Sequence, residues 1–108
     1  MNAEEVVFQM ILHAGNARSL AMEAISLAKN NDISNARRKI EDASKEVVMA
    51  HETQTELIQK EAKGEKSEVT LLLVHAQDHF MNALTIKDMA NGFIDLYEQL
   101  GSKEVKPT

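Results

Sequence analysis

The chain has 108 residues, no cysteine, and 12 Lys and Arg against 17 Asp and Glu, a formal net charge of -5. That length is one domain, residues 1–108, with one core; the charge disfavours a grip on nucleic acid or anionic lipid, and the missing thiols exclude a disulfide framework and thiolate chemistry. No apolar run reaches the roughly 18 residues that would span a bilayer and no secretory leader is evident, so a cytoplasmic protein without membrane insertion is expected.

With 4 glycines, 1 proline and 4% aromatic residues, the composition favours helix over strand, and an all-α fold is expected. The first helix is expected over about 3–30. Val7, Met10, Ala14, Ala17, Ala21, Ala24 and Ala28 recur there in steps of three and four, a bundle seam whose alanines admit a close neighbour. Gly15 interrupts it at a cost of about 1 kcal/mol relative to Ala, which points to a reason beyond propensity, a close backbone contact. Asn30, Asn31 and Asp32 supply a left-handed stop and a cap for the next helix.

The second helix is expected over about 33–63, with a seam of Ile33, Ala36, Ile40, Ala43, Val47, Ala50, Gln54 and Leu57; Gly64 closes it in the left-handed conformation. Gln54 is a register-fixing or water-facing amide, or reaches toward a site on a facing helix. The third helix is expected over about 68–100, ended by Gly101 and followed by a tail over 102–108. Its seam reads Val69, Leu72, Ala76, His79, Ala83, Ile86, Ala90, Phe93, Tyr97 and Leu100. A second stripe, Leu71, Val74, Asp78, Asn82 and Met89, is more apolar surface than one seam requires. Short connections make consecutive helices antiparallel, so an up-down-up three-helix bundle is expected. Its third helix also packs against other copies in a cyclic homo-oligomer.

The chemistry concentrates between Leu71 and Met81. Residues three and four apart on a helix are neighbours, so His75 meets both Asp78 and His79. His79, on the seam, is either a core imidazole satisfied by a neighbour or the group that orients His75. His13 and His51 flank their seams and are expected at the surface. A neutral imidazole at His75 is a nucleophile, a base or a ligand. Two other readings stand beside the first: a metal-binding bundle using His75, Asp78 and His79, which falls short of a usual zinc ligand set, and a non-catalytic helical assembly module. No triad, phosphate loop or Walker sequence is present.

The stretch Val74-His75-Ala76-Gln77-Asp78-His79-Phe80-Met81 follows Gly15-Asn16-Ala17-Arg18-Ser19 and Ala50-His51-Glu52-Thr53-Gln54-Thr55. In that order these segments resemble the enzyme IIA component of the lactose/cellobiose-type bacterial sugar phosphotransferase system, over about residues 3–100. Phe80 stands where that family usually has Leu. The resemblance implies a phosphoryl carrier in which His75 accepts a phosphoryl group from the histidine phosphocarrier protein HPr. It then passes the group to a cysteine of the IIB component, upstream of the membrane IIC component. It also implies a homotrimer, a nine-helix bundle, with Asp78 from each subunit around a divalent cation, magnesium, at the axis. His79 and Gln77 are the candidate supporting donors, although Gln77 points well around the helix and needs a neighbouring subunit. The role of Arg18 stays open between the site and the first helix, and the sugar, whether lactose, cellobiose, chitobiose or a related β-glucoside, is selected elsewhere.

Overall fold

Asn2 opens the first helix: its side-chain oxygen accepts the Glu5 amide at 2.9 Å, and Glu4 and Glu5 lie in the first turn, where the helix dipole favours negative charge. The computed structural model describes residues 2–66 and 68–104, with side chains through 102. Its elements are α1 (Ala3–Lys29), α2 (Ile33–Ala62) and α3 (Leu71–Glu104), with no strand among the described residues. No helix is long and apolar enough to cross a membrane among them.

Both connections stop their helices as the sequence leads one to expect. After α1, Asn31 takes φ 65°, its amide donates to the Ala28 carbonyl at 2.9 Å, and the Asp32 amide donates to the Leu27 carbonyl at 2.9 Å. After α2, Gly64 takes φ 91°, with the Glu65 amide on the Lys60 carbonyl at 2.9 Å. These paired bonds satisfy carbonyls that a helix end would otherwise leave open. Asp32 differs from expectation, because its carboxylate caps no backbone amide and accepts instead from Asn35 Nδ2 at 3.0 Å.

The third helix departs further from its expected span of 68–100. It starts at Leu71, where the Thr70 hydroxyl accepts the Leu73 amide at 3.1 Å, and Val69, expected on the seam, precedes it and is 78% exposed. It does not stop at Gly101, which is helical, and residues 102–104 of the expected tail continue it; residues 105–108 lie outside the described residues. Gly101 is where α3 passes the α1–α2 turn: a Cβ there would stand 2.6 Å from Asn31 Oδ1.

Gly15 opposite His79 and Asn31 opposite Gly101 make α1 and α3 parallel. The His13–Glu46, Arg37–Asp95 and Gln54–Gln77 pairs make α2 antiparallel to both. Arg37 donates from Nη2 to Asp95 and Glu98 at 2.9 Å each, and hydrogen bonds to Asp95 and then Glu98 hold its pKa above the usual guanidinium value.

The α1 seam is buried at every expected position, and α2 is buried from Ala36 to Ala50. On α3 the seam is corrected: Ala76, Phe80, Ala83, Ala90 and Ile94 are buried, whereas His79 is half-buried, and Phe93 and Leu100 are exposed. At 100° per residue, positions 79 and 80 lie about 50° to either side of the line through Ala76 and Ala83. Periodicity alone therefore cannot choose between them. The bundle turns Phe80 inward against a cluster that includes Met10, Ala14, Val47 and Ala50, and directs His79 toward α1. The same rotation leaves Lys87 half-buried at an inner position, its ammonium reaching Asp88 at 2.9 Å, as a long stem along apolar surface allows.

Candidate functional site

His75 and His79 sit one turn apart near the start of α3, because the helix brings residues four apart together. Their rings stack with centroids 5.7 Å apart and planes inclined by 14°. His75 is exposed and His79 half-buried. Behind the stack lies the α1 backbone: a Cβ on Gly15 would be 3.4 Å from His79 Nε2. The close contact that Gly15 implies is thus with a side chain of α3.

Asp78 is exposed and joins none of the ion pairs among the described residues. It lies on the second stripe, where Leu71 is 85% exposed and Val74 and Met89 are exposed with it; Met81 and Leu96, not expected there, extend the exposed apolar face. Gln77, two residues from His75, is about 200° around the helix and accepts a hydrogen bond from Gln54 Nε2 at 2.8 Å through its Oε1. Gln54 therefore does reach a facing helix, and the bridge occupies the Gln77 carbonyl while leaving its NH₂ group able to donate. One chain brings together His75 and His79, sets Asp78 beside them, and keeps Gln77 on the other flank.

The metal-binding reading based on His75, Asp78 and His79 is not formed within one chain. Among the described residues no three His, Cys, Asp or Glu side chains come together to hold an ion. The reason is geometric: stacked imidazoles present faces to each other, so their lone pairs do not converge on one point. Arg18 is exposed and lines an open groove of about 750 Å³ with Ser19, Met22 and Lys39, a groove that includes neither histidine of the stack.

The other two histidines are less isolated than their local sequence implies. His13, expected at the surface, is half-buried and pairs through Nδ1 with Glu46 Oε2 at 2.5 Å, while Asn16 Nδ2 donates to the other Glu46 oxygen at 3.2 Å. His51 is exposed, but its ring lies against Phe80 with centroids 6.2 Å apart. Both partners are 29 or more residues away, so helical spacing carries no sign of them.

A cleft of about 370 Å³ at the same end of the bundle is lined by Val7, Leu57, Leu72 and Leu73 among others, without either histidine. His75 is exposed beside the exposed Leu71 and Val74, where another macromolecule can reach it.

Comparison with known proteins bears on the family and the fold. The family model described as the lactose/cellobiose-specific IIA subunit of the phosphotransferase system matches residues 5–98. The chain is 61% identical over 97 residues to the lichenan-specific phosphotransferase enzyme IIA component of Bacillus subtilis strain 168, covering 90% of this chain and 88% of that protein. Its structure is similar to the crystal structure of the cellobiose-specific enzyme IIA from Bacillus anthracis, with TM-score 0.93, 51% identity and coverage of 95% and 94% of the two chains. It is also similar to a chain of the solution structures of the IIA(chitobiose)–HPr complex of Escherichia coli, with TM-score 0.81, 37% identity and coverage of 94% and 98%. A chain matched along nearly its whole length, with the same three helices, belongs to the lactose/cellobiose-specific IIA family of the sugar phosphotransferase system.

Proposed function

We propose that His75 carries the phosphoryl group, accepting it from HPr and passing it to the cysteine of a IIB component, in the cytoplasm, during uptake of a lactose/cellobiose-type disaccharide through the IIC component. The observation that carries this reading is the exposed His75 ring held against half-buried His79; its support from outside the chain is the similarity to a IIA protein solved with HPr. In the accepting step a lone pair on a His75 ring nitrogen forms the new N–P bond. The N–P bond of the donor histidine breaks, and its electron pair returns to the donor imidazole. In the donating step a cysteine thiolate attacks the same phosphorus, and the His75 nitrogen recovers its pair. Such transfers need an in-line nucleophile and donors around the phosphoryl oxygens. His79 is the nearest donor, and Gln77 supplies its NH₂ group where a neighbouring copy brings it to His75.

Incubation with phosphoenolpyruvate, enzyme I and HPr, followed by intact mass, tests the reading. One phosphoryl group should be gained, lost again in acid as phosphoramidates are, and transferred onward when IIB is added. No gain of mass under conditions that load HPr would refute it.

The uncovered apolar row on α3 fits a homotrimer with the three copies of α3 at the centre, since exposed apolar surface of that extent marks an association face. The residues fit a resident cation there: an exposed carboxylate on each chain's row, hard oxygen donors, and no cationic side chain on the row among the described residues. Asp78 of each copy would hold the ion, magnesium by the hardness of the donors, whose charge offsets the mutual repulsion of the three carboxylates. Chelation is expected to weaken the wild-type trimer at least tenfold, on the order of 1.4 kcal/mol, and to leave the Asp78→Leu trimer unchanged, as measured by sedimentation or native mass. Equal insensitivity of both proteins would remove the ion from this account.

A further inference from the structure

Gly15 stands in the middle of α1, where a helix gains from Ala. Its backbone is helical, and the left-handed conformation that requires glycine occurs elsewhere, at Gly64. Conformation therefore gives no reason for the missing side chain. Space gives one. Among the described residues outside α1, the heavy atom within 4 Å of a Cβ at this position is His79 Nε2, at 3.4 Å, a distance that a methyl group would tolerate without a clash.

A methyl there would nonetheless cover the nitrogen. A hydrogen-bond partner stands about 2.8–3.0 Å from an imidazole nitrogen, and a carbon 3.4 Å from it takes up room beside the nitrogen that such a partner would share. His79 Nε2 has no hydrogen-bond partner among the described residues, although the side chain is half-buried. No polar side-chain atom of the described residues is buried without a partner, so this nitrogen is open to solvent, and a ligand oxygen can take the place of water there. The ring stacked above it is His75, with centroids 5.7 Å apart, so an oxygen of a group bonded to His75 has the reach to be that partner.

We propose that Gly15 is a positioning residue: its missing side chain keeps the Nε2 edge of His79 open so that this edge meets an oxygen of the phosphoryl group on His75. The inference rests on the reading of His75 as the phosphoryl acceptor. Gly15 touches neither the phosphorus nor the attacking nitrogen and acts only through His79. An alanine would leave the stack and the fold in place and remove one oriented donor.

The full chain tests this with Gly15→Ala, His79→Ala and the double variant, each loaded from phosphorylated HPr. Gly15→Ala is expected to raise the melting temperature, as Ala in a helix should, and yet to slow acceptance by about tenfold, the scale of losing part of one preorganised donor. In the His79→Ala background the same change should alter the rate by less than about twofold, because coupled residues are not additive. The ¹⁵N shifts of the His79 ring should move on loading in the wild type and much less in Gly15→Ala. Wild-type rates in Gly15→Ala, or a tenfold loss that persists without His79, would overturn the proposal. Failure of the wild type to be loaded at all would instead count against His75 as acceptor, so the two readings fail separately.

Discussion

Replacing His75 by Ala is expected to abolish phosphoryl acceptance altogether while leaving the fold intact. The side chain is exposed, and surface substitutions away from buried features usually change stability by within about 0.5 kcal/mol. The lost half of the ring stack costs on the order of 0.5–1.5 kcal/mol at most, partly offset by the better helix propensity of Ala. Circular dichroism and the melting curve should therefore stay near wild type, while intact mass after incubation with loaded HPr shows no added phosphoryl group. His79→Ala makes the informative contrast. The nucleophile remains, so loading should still go to completion, slowed by about a hundredfold if His79 contributes one oriented donor. Loading of His75→Ala at any appreciable rate would move the acceptor to another residue. A collapsed fold in that variant would instead show His75 to be structural.

Phe80→Ala is expected to cost about 3–5 kcal/mol, as truncation of buried aromatic residues does. The ring is 1% exposed and packs in a cluster dominated by small residues, Ala14, Ala17, Ala50, Ala76 and Ala83, with Met10 and Val47. Alanines have no rotamers with which to refill a void, so little relaxation is available. Against a domain stability of about 5–15 kcal/mol, such a loss should bring the midpoint of denaturation down sharply. Unfolding would be followed at one fixed protein concentration, because association adds its own stability. The ring also backs His51 and is next in the chain to His79. Loading should therefore weaken together with stability, unlike in His75→Ala. A cost below about 1 kcal/mol would mean that Phe80 does not occupy the centre of the bundle.

These two residues differ in how far the sequence betrays them. His75 beside His79 is a local fact, because a helix places residues four apart in contact whatever surrounds it. Phe80 is the opposite case, since the expected seam passes through His79 and leaves Phe80 off its line. Asp78 and the exposed stripe around it are legible because so much apolar surface exceeds one seam, but the described residues of one chain leave it exposed. The pairing of His13 with Glu46 and of Gln54 with Gln77 joins residues 33 and 23 apart, and nothing in local spacing announces either.

The amino-acid sequence by itself determined three helices, their left-handed stops at Asn31 and Gly64, their up-down-up order, and the nearness of His75 to His79 at the start of α3. Each of these follows from backbone geometry and interactions within a few residues. Only the tertiary structure decided the rotation of α3 about its own axis, and with it the burial of Phe80 and Ile94, the half-buried place of Lys87, and the meeting of His79 with Gly15. Turning a helix in place leaves its internal hydrogen bonds unchanged, so the choice falls to whichever side chains best fill the space between neighbouring helices.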